Sequence, residues 1–405
     1  MADPISFPEH SNEERPVKIV DIECHVLVAP NLSTGSTSSA QDSFIVVVRT
    51  DEGLTGIGES DVNPWIAKAC IEAPGTHTMA LGLRDMLIGA DPLDIEGLWR
   101  KLYVGSAMTG RRGAVIHTLG AVDMALWDIK GKAAGRPIFE LLGGAKQEQV
   151  VPYASLQPNG SRWEEYRDSL CEWAERARNL GFKAVKAEVT MNGPYAHDGM
   201  HEPYEHHTRV VEAVRKTLGP DIALMVDVQY MWPDAETALR TVRDWAEFDL
   251  FFLETPIWID RLDDYARLHE EAPMKIAAGE WQATRYEFEE LMDRGRVDVA
   301  QPDVGRVGGF SEAKAVCDMA ADRGRIIVPH CWKTGVSVTA TAHLAFNTPH
   351  CRFIEYLPPA LCVDALRKEL AIDGFNFVNG MIEKPTAPGL GAVLNEEAVR
   401  AFKVA

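Results

Sequence analysis

Short apolar runs recur along the sequence and end in residues that can do chemistry. Val185-Lys186-Ala187-Glu188 ends one, and Met225-Val226-Asp227-Val228-Gln229 ends the next. Phe252-Leu253-Glu254-Thr255-Pro256 and Ala277-Ala278-Gly279-Glu280 follow. Gln301-Pro302-Asp303, Val328-Pro329-His330 and Phe353-Ile354-Glu355 close the series. A single carboxylate in such a place is ordinary, because it can start a helix or pair with a nearby base. Asp227, Glu254 and Glu280 end three consecutive runs. Brought to one point they would repel and raise one another's pKa unless a cation were present. Hard oxygen donors in that number suit Mg²⁺, which leaves positions open for water or substrate.

Lys186 sits inside its apolar run, one run before Asp227. There a cation and burial would both depress its pKa and make it a proton acceptor. Lys183 has the ordinary fate of a surface lysine. Glu188, two residues beyond Lys186 on the same face, suits a hydrogen-bond partner, a substrate contact or a fourth acidic group near the metal. His330 and Asp303 end neighbouring runs, and a carboxylate beside an imidazole fixes its tautomer for acid–base work. A neutral Glu355 would donate a hydrogen bond to a substrate carboxylate. His197, His201, His206 and His207 share no metal-binding spacing such as HExxH, so a lid or interface is the better reading. His197 and His201 are still placed to touch a polyhydroxy substrate. Trp65, Trp232, Trp281 and Trp332 lie near run ends and read as pocket wall, with Trp65, Trp281 and Trp332 the substrate-contact candidates.

These residues need a scaffold that gathers them. From Pro152 onwards, short strands alternate with amphipathic helices. The strands are 152–155, 184–189, 223–227, 251–254, 276–279, 299–301, 326–329 and 352–355. Helical periodicity fits 163–179, 206–218, 235–247, 259–269, 285–293 and 311–323. No glycine fingerprint of a dinucleotide fold follows any strand, so a parallel (β/α) barrel is expected, with strand ends opening on one face. Before it, Val17–Val28, Phe44–Val48 and Leu54–Gly58 read as antiparallel strands, the last two joined at Asp51-Glu52-Gly53. A helix over 112–134 follows and stops at Gly135-Arg136-Pro137. The expected organisation is a flexible arm over 1–16, an α+β capping domain over 17–148, a barrel over 149–360, and a segment over 361–405 that packs back on the cap.

The chain of 405 residues is 46% hydrophobic, enough for a large core, and carries a net charge of −19. Such an acidic chain is disfavoured as a nucleic-acid or anionic-membrane binder. No apolar run approaches the roughly 20 residues a membrane span needs. The polar, acidic start lacks the order of a secretion signal. The 7 cysteines are scattered without a CxxC pair, as in a reduced, cytoplasmic protein. A homo-oligomer acting on a small molecule is expected.

Taken together, Lys186 in Val-Lys-Ala-Glu, Asp227 in Val-Asp-Val-Gln, Glu254 in Leu-Glu-Thr-Pro, Glu280 in Ala-Gly-Glu, Asp303 with Gly308-Gly309, His330 in Val-Pro-His, and Glu355 give a combined signature. With it, the chain from about Val17 to Lys403 resembles the enolase superfamily, in particular its mandelate-racemase-like subgroup. The resemblance implies a modified (β/α)₇β TIM barrel, an N-terminal α+β cap completed by the C-terminal segment, and one Mg²⁺. It also implies removal of a proton α to a carboxylate to give an enediolate. Lys186 and His330 are then the base and acid, Asp303 orients His330, and Glu355 helps stabilise the enediolate. Glu188 stands where many members carry the second lysine of a Lys-x-Lys pair, and Gln229 where many carry Asn. The reaction implied is dehydration of an aldonate or aldarate to a 2-keto-3-deoxy acid. A racemase, epimerase or lactone cycloisomerase would share the enediolate. A non-catalytic, metal-stabilised structural or regulatory barrel is the reading from another class.

Overall fold

The computed structural model describes residues 17–35 and 38–405. The arm expected over 1–16 lies outside the described residues. Three antiparallel strands open the fold in the order β1 (Ile19–Val28), β2 (Asp42–Thr50) and β3 (Thr55–Ser60). Gly53 supplies the positive φ that the tight β2–β3 turn requires. Four helices follow: α1 (Pro64–Glu72), α2 (Leu83–Leu87), α3 (Ile95–Gly105) and α4 (Ala114–Ala134). α4 lies so close on β3 that a Cβ on Gly58 would sit 1.9 Å from the Ala121 carbonyl oxygen. β2 is therefore buried on both faces, which explains its continuous run of Phe44, Ile45, Val46, Val47 and Val48.

The other side of α4 faces the next domain. There Asp123 accepts hydrogen bonds from Ser311 Oγ at 2.5 Å and from the Ser311 amide at 3.1 Å. Burial pushes the Asp123 carboxyl up to about 7, against the pull of those bonds. An acid whose folded pKa is raised holds its proton better folded than unfolded. It therefore costs stability as pH rises from about 4 to about 7. Asp123→Asn, which keeps the shape and lacks the charge, should gain stability relative to wild type between pH 5 and pH 8. Urea midpoints at the two pH values check this, and a pH-independent difference would refute it.

Eight parallel strands form the barrel: β4 (Pro152–Ser155), β5 (Ala184–Glu188), β6 (Ala223–Asp227), β7 (Leu250–Glu254), β8 (Lys275–Ala278), β9 (Val299–Ala300), β10 (Ile326–Ile327) and β11 (Ile354–Tyr356). They pair in chain order, and β11 returns to lie beside β4. A parallel bridge from Ile327 to Cys351 closes the ring. Helices follow the strands at 163–179, 204–218, 235–242, 262–271, 284–293, 309–322 and 335–347, giving (β/α)₇β. The last was not expected from periodicity. Every residue of Gly335–Asn347 is buried, so no polar face marks it as a helix.

Inside the ring, Tyr153, Ala184, Met225, Phe252, Ala277, Val299, Val328 and Phe353 form one apolar layer. Side chains alternate along a strand, so the same inward face is reached again two residues later. Those positions are Ser155, Lys186, Asp227, Glu254, Gly279, Gln301, His330 and Glu355. None is apolar apart from the glycine. Glu280 is off this parity by one. Gly279, at φ +134°, turns the chain where β8 has ended, and Glu280 joins the site from there.

The C-terminal residues run back over both units. Val404 and Ala405 hydrogen-bond to Val26 along the free edge of β1, while Ile382 bridges to Val150 at the barrel.

Candidate active site

The inward polar layer forms the base of a cavity of about 370 Å³. Lys186 is its centre of charge. Its Nζ lies 2.9 Å from Glu254 Oε1, 3.0 Å from Glu355 Oε1 and 3.9 Å from Asp227 Oδ2. Burial alone would lower the Lys186 pKa, but these carboxylates overcome it and hold the ammonium well above its usual range. The depressed value expected from the sequence is thus reversed here, because the carboxylates surround the amine directly.

His330 faces Lys186 across Glu355. Its Nδ1 meets Asp303 Oδ2 at 2.6 Å, which leaves Nε2 pointing to Glu280 Oε2 at 3.3 Å and Glu355 Oε2 at 3.8 Å. Burial and Arg306 push the imidazole down, while Glu355, Asp303 and Glu280 win and lift it to about 9. Glu355 also accepts a 2.8 Å bond from the Cys331 amide. Burial would raise its pKa, yet Lys186, His330 and that amide hold it below the ordinary value. Lys186 and His330 thus favour its ionised form over the neutral donor expected from the sequence. Glu188, held by Thr190 Oγ1 at 3.0 Å, is raised to about 7 by burial and by Asp227.

Register brings two of the three acidic ligand candidates together: Asp227 pairs with Glu254 across β6 and β7. Thr255 Oγ1 and the Gln229 amide hold Asp227 Oδ1 at 2.7 and 2.9 Å, and Tyr230 OH donates to Glu280 Oε1 at 2.8 Å. Glu254 Oε2 is buried with no hydrogen-bond partner, and burial raises its carboxyl to about 8, so its charged form needs a cation beyond Lys186. Among the described residues, however, the one group with ligand atoms all within 4.8 Å is Asp61, Asp303 and His330. That cluster can hold a metal by spacing. Its partners argue otherwise, since Asp61 already binds Arg306 at 2.5 Å and Lys333 at 3.2 Å, and Asp303 binds His330. The Asp227, Glu254 and Glu280 oxygens lie outside that spacing, with Glu254 bonded to Lys186 and Glu280 to Tyr230.

Of the remaining expected residues, Glu188, His197, Trp281 and Trp332 line the cavity with Lys186, Asp227, Glu280, His330 and Glu355. Glu254 and Asp303 sit behind it, bonded to residues that do. Trp65 and His201 do not reach it. Trp65 lies in the first turn of α1, whose buried side carries Ala67 and Ile71, and is 46% exposed. Trp232 is core, packed on Trp245. The histidines disperse: His206 stacks on Trp163, His207 is buried, and His201 is exposed.

Several residues of the site do not end an apolar run and so carry no such mark in the sequence. Arg306 lines the cavity and ties Glu280 Oε2, at 3.3 Å, to Asp61 of the cap. Lys333 binds Asp42 and Asp61, so the cap is anchored to the barrel rim by buried ion pairs. Tyr195 and Tyr230 join Trp281 in an aromatic wall, with Tyr230 stacked on Trp281 at 4.4 Å.

Residues 4–143 match the mandelate racemase/muconate lactonizing enzyme N-terminal domain, and residues 169–398 match the enolase C-terminal domain-like family. The chain belongs to the mandelate racemase/muconate lactonizing enzyme family of the enolase superfamily. It is 31% identical over 397 residues to the D-galactarolactone cycloisomerase of Agrobacterium fabrum, covering 96% of this chain and 99% of that protein. It is 32% identical over 360 residues to the arabinonate dehydratase of Saccharolobus solfataricus, covering 88% and 89%. The crystal structure of the 3,6-anhydro-D-galactonate cycloisomerase from Zobellia galactanivorans superposes with a TM-score of 0.82 at 29% identity, covering 96% of this chain and 100% of that one. Among the described residues no helix is long and apolar enough to cross a membrane.

Proposed function

We propose that the protein dehydrates an acid sugar to a 2-keto-3-deoxy acid by removing the proton α to the carboxylate. The observation that carries this reading is the placing of two proton carriers, Lys186 and His330, at opposite oxygens of one buried carboxylate, Glu355. Asp227, Glu254 and Glu280 would hold Mg²⁺, as the unpartnered Glu254 Oε2 supports. Bound there, the ion would stabilise negative charge developing on the substrate carboxylate. A divalent cation held there would offset the charge of Asp227 and Glu254, two of the carboxylates that favour the Lys186 ammonium form. The Lys186 amine then accepts the α-proton, and the C–H electron pair moves into the carboxylate to give an enediolate. His330, steered by Asp303 through Nδ1, gives the Nε2 proton to the departing β-hydroxyl, which leaves as water. The enol that remains becomes the keto acid on tautomerisation. Glu355, ionised, positions both carriers. A reducing, cytoplasmic setting suits the seven unpaired thiols.

A lactone cycloisomerase is the second reading, favoured by the nearly end-to-end match to the Agrobacterium fabrum enzyme. There the same proton is removed, and the bond broken next runs to a ring oxygen instead of a hydroxyl. A screen of aldonates, aldarates and their lactones with Mg²⁺ tests both. Keto acid from an open-chain acid supports dehydration, and product from lactones alone supports the second reading. No product and no α-proton exchange with any of them would mark a barrel without catalysis.

A further inference from the structure

We infer that the substrate carries a single free carboxylate, and that Asp364 is the residue that turns diacids away; this rests on the acid-sugar reading above. Among the described residues, the lysine and arginine side chains lining the cavity are Lys186 and Arg306. Both are tied to the acidic groups at its base, as is His330. One substrate carboxylate therefore has a place there. The rest of the molecule must extend along the outer wall.

That wall is built differently. Gln157 lies two residues beyond Ser155, where β4 has ended, and lines the cavity. Its Nε2 donates to Asp364 Oδ2 at 2.7 Å, and its Oε1 accepts from the Val363 amide at 3.2 Å. Gln157 thus clamps the segment that follows the last barrel strand and fixes Asp364 as cavity lining. Asn159 lines the cavity beside it, and Ser38 and Ser39 of the cap line it too. His197, the further basic group in the lining, sets its ring against Tyr166 at 5.2 Å.

Amide, hydroxyl and carboxylate groups suit sugar hydroxyls, which both donate and accept. A second carboxylate on this wall would meet Asp364 with, among the described residues lining that wall, no lysine or arginine to offset the repulsion, and such like-charge contacts select against a partner. A lactone made from a diacid passes the same filter, because one carboxylate is masked in the ring.

The test is calorimetric binding of hexonate–hexarate pairs of matched configuration to the full-length protein with Mg²⁺, alongside keto-acid assays. The hexonate should bind at least about tenfold more tightly than its hexarate. Asp364→Asn keeps an oxygen for Gln157 and should narrow that gap by about tenfold. Asn159→Lys, which adds a cation to the wall, should narrow it as well. A hexarate bound as tightly as its hexonate by wild type overturns the inference, and keto acid formed from it would leave the proposed function standing. A gap unchanged in both variants removes Asp364 from the role. A preserved preference with neither product nor exchange supports the selective wall and sinks the dehydration.

Discussion

With His330 replaced by Asn, the α-proton of the substrate should still exchange with solvent deuterium while keto-acid formation falls by about 10³-fold, the usual range for losing a general acid. Lys186→Met should abolish both. The split follows from the geometry, in which His330 is aimed by Asp303 from behind and Lys186 stands apart from it, across Glu355. If exchange survived in Lys186→Met and vanished in His330→Asn, the two residues would trade roles. That outcome has a physical basis here, because Glu188, two residues beyond Lys186, is an acid, and His330 is the other proton carrier set against Glu355. Proton NMR in deuterium oxide separates the cases.

Glu254→Gln should weaken Mg²⁺ binding by at least about a hundredfold, since even outer-shell partners reach that range and Glu254 is assigned to the ion directly. Far-UV circular dichroism should stay unchanged, because Gln fills the same volume on β7. Metal titration with wild-type affinity in Glu254→Gln would show the ligand set to be wrong. Asp61→Asn then becomes the informative variant, as it tests the competing group of Asp61, Asp303 and His330. With Asp227, Glu254 and Glu280 as the ligands, Asp61→Asn should leave Mg²⁺ affinity nearly unchanged, because Asp61 serves Arg306 and Lys333.

The barrel was legible in the sequence because each strand is a short apolar run and most helices have one polar face. Trp163–Asn179 shows this well, with Glu, Arg and Asp outside and Tyr166, Leu170, Trp173, Ala174 and Ala177 inside. Helix 335–347 has no outside, so the signal vanished with the solvent. Site residues on the strand ends were visible by the same logic, since parity fixes which side chains face inward. What stayed hidden depends on pairing between distant parts of the chain. Lys333 and Asp42 lie 291 residues apart and meet only once the cap is seated. Trp65 failed for the opposite reason: its loop position suggested the pocket, but the packing of α1 on the sheet turned it outward. The pull on Glu355 towards its ionised form also needed the folded neighbours, because Lys186 and His330 exert it.

The stacking of an apolar layer beneath the reactive one has a consequence for how this chain can change over generations. Deleting one residue from β5 would bring Ala187 or Val185 into the ring and swing Lys186 towards the surrounding helices, so core and chemistry would fail together. Length changes can therefore accumulate only between the strands, in segments such as the stretch from Val189 to Pro203. The segments outside the strands, which supply Tyr195, His197 and Asp364 to the cavity, can take insertions that the reacting centre cannot.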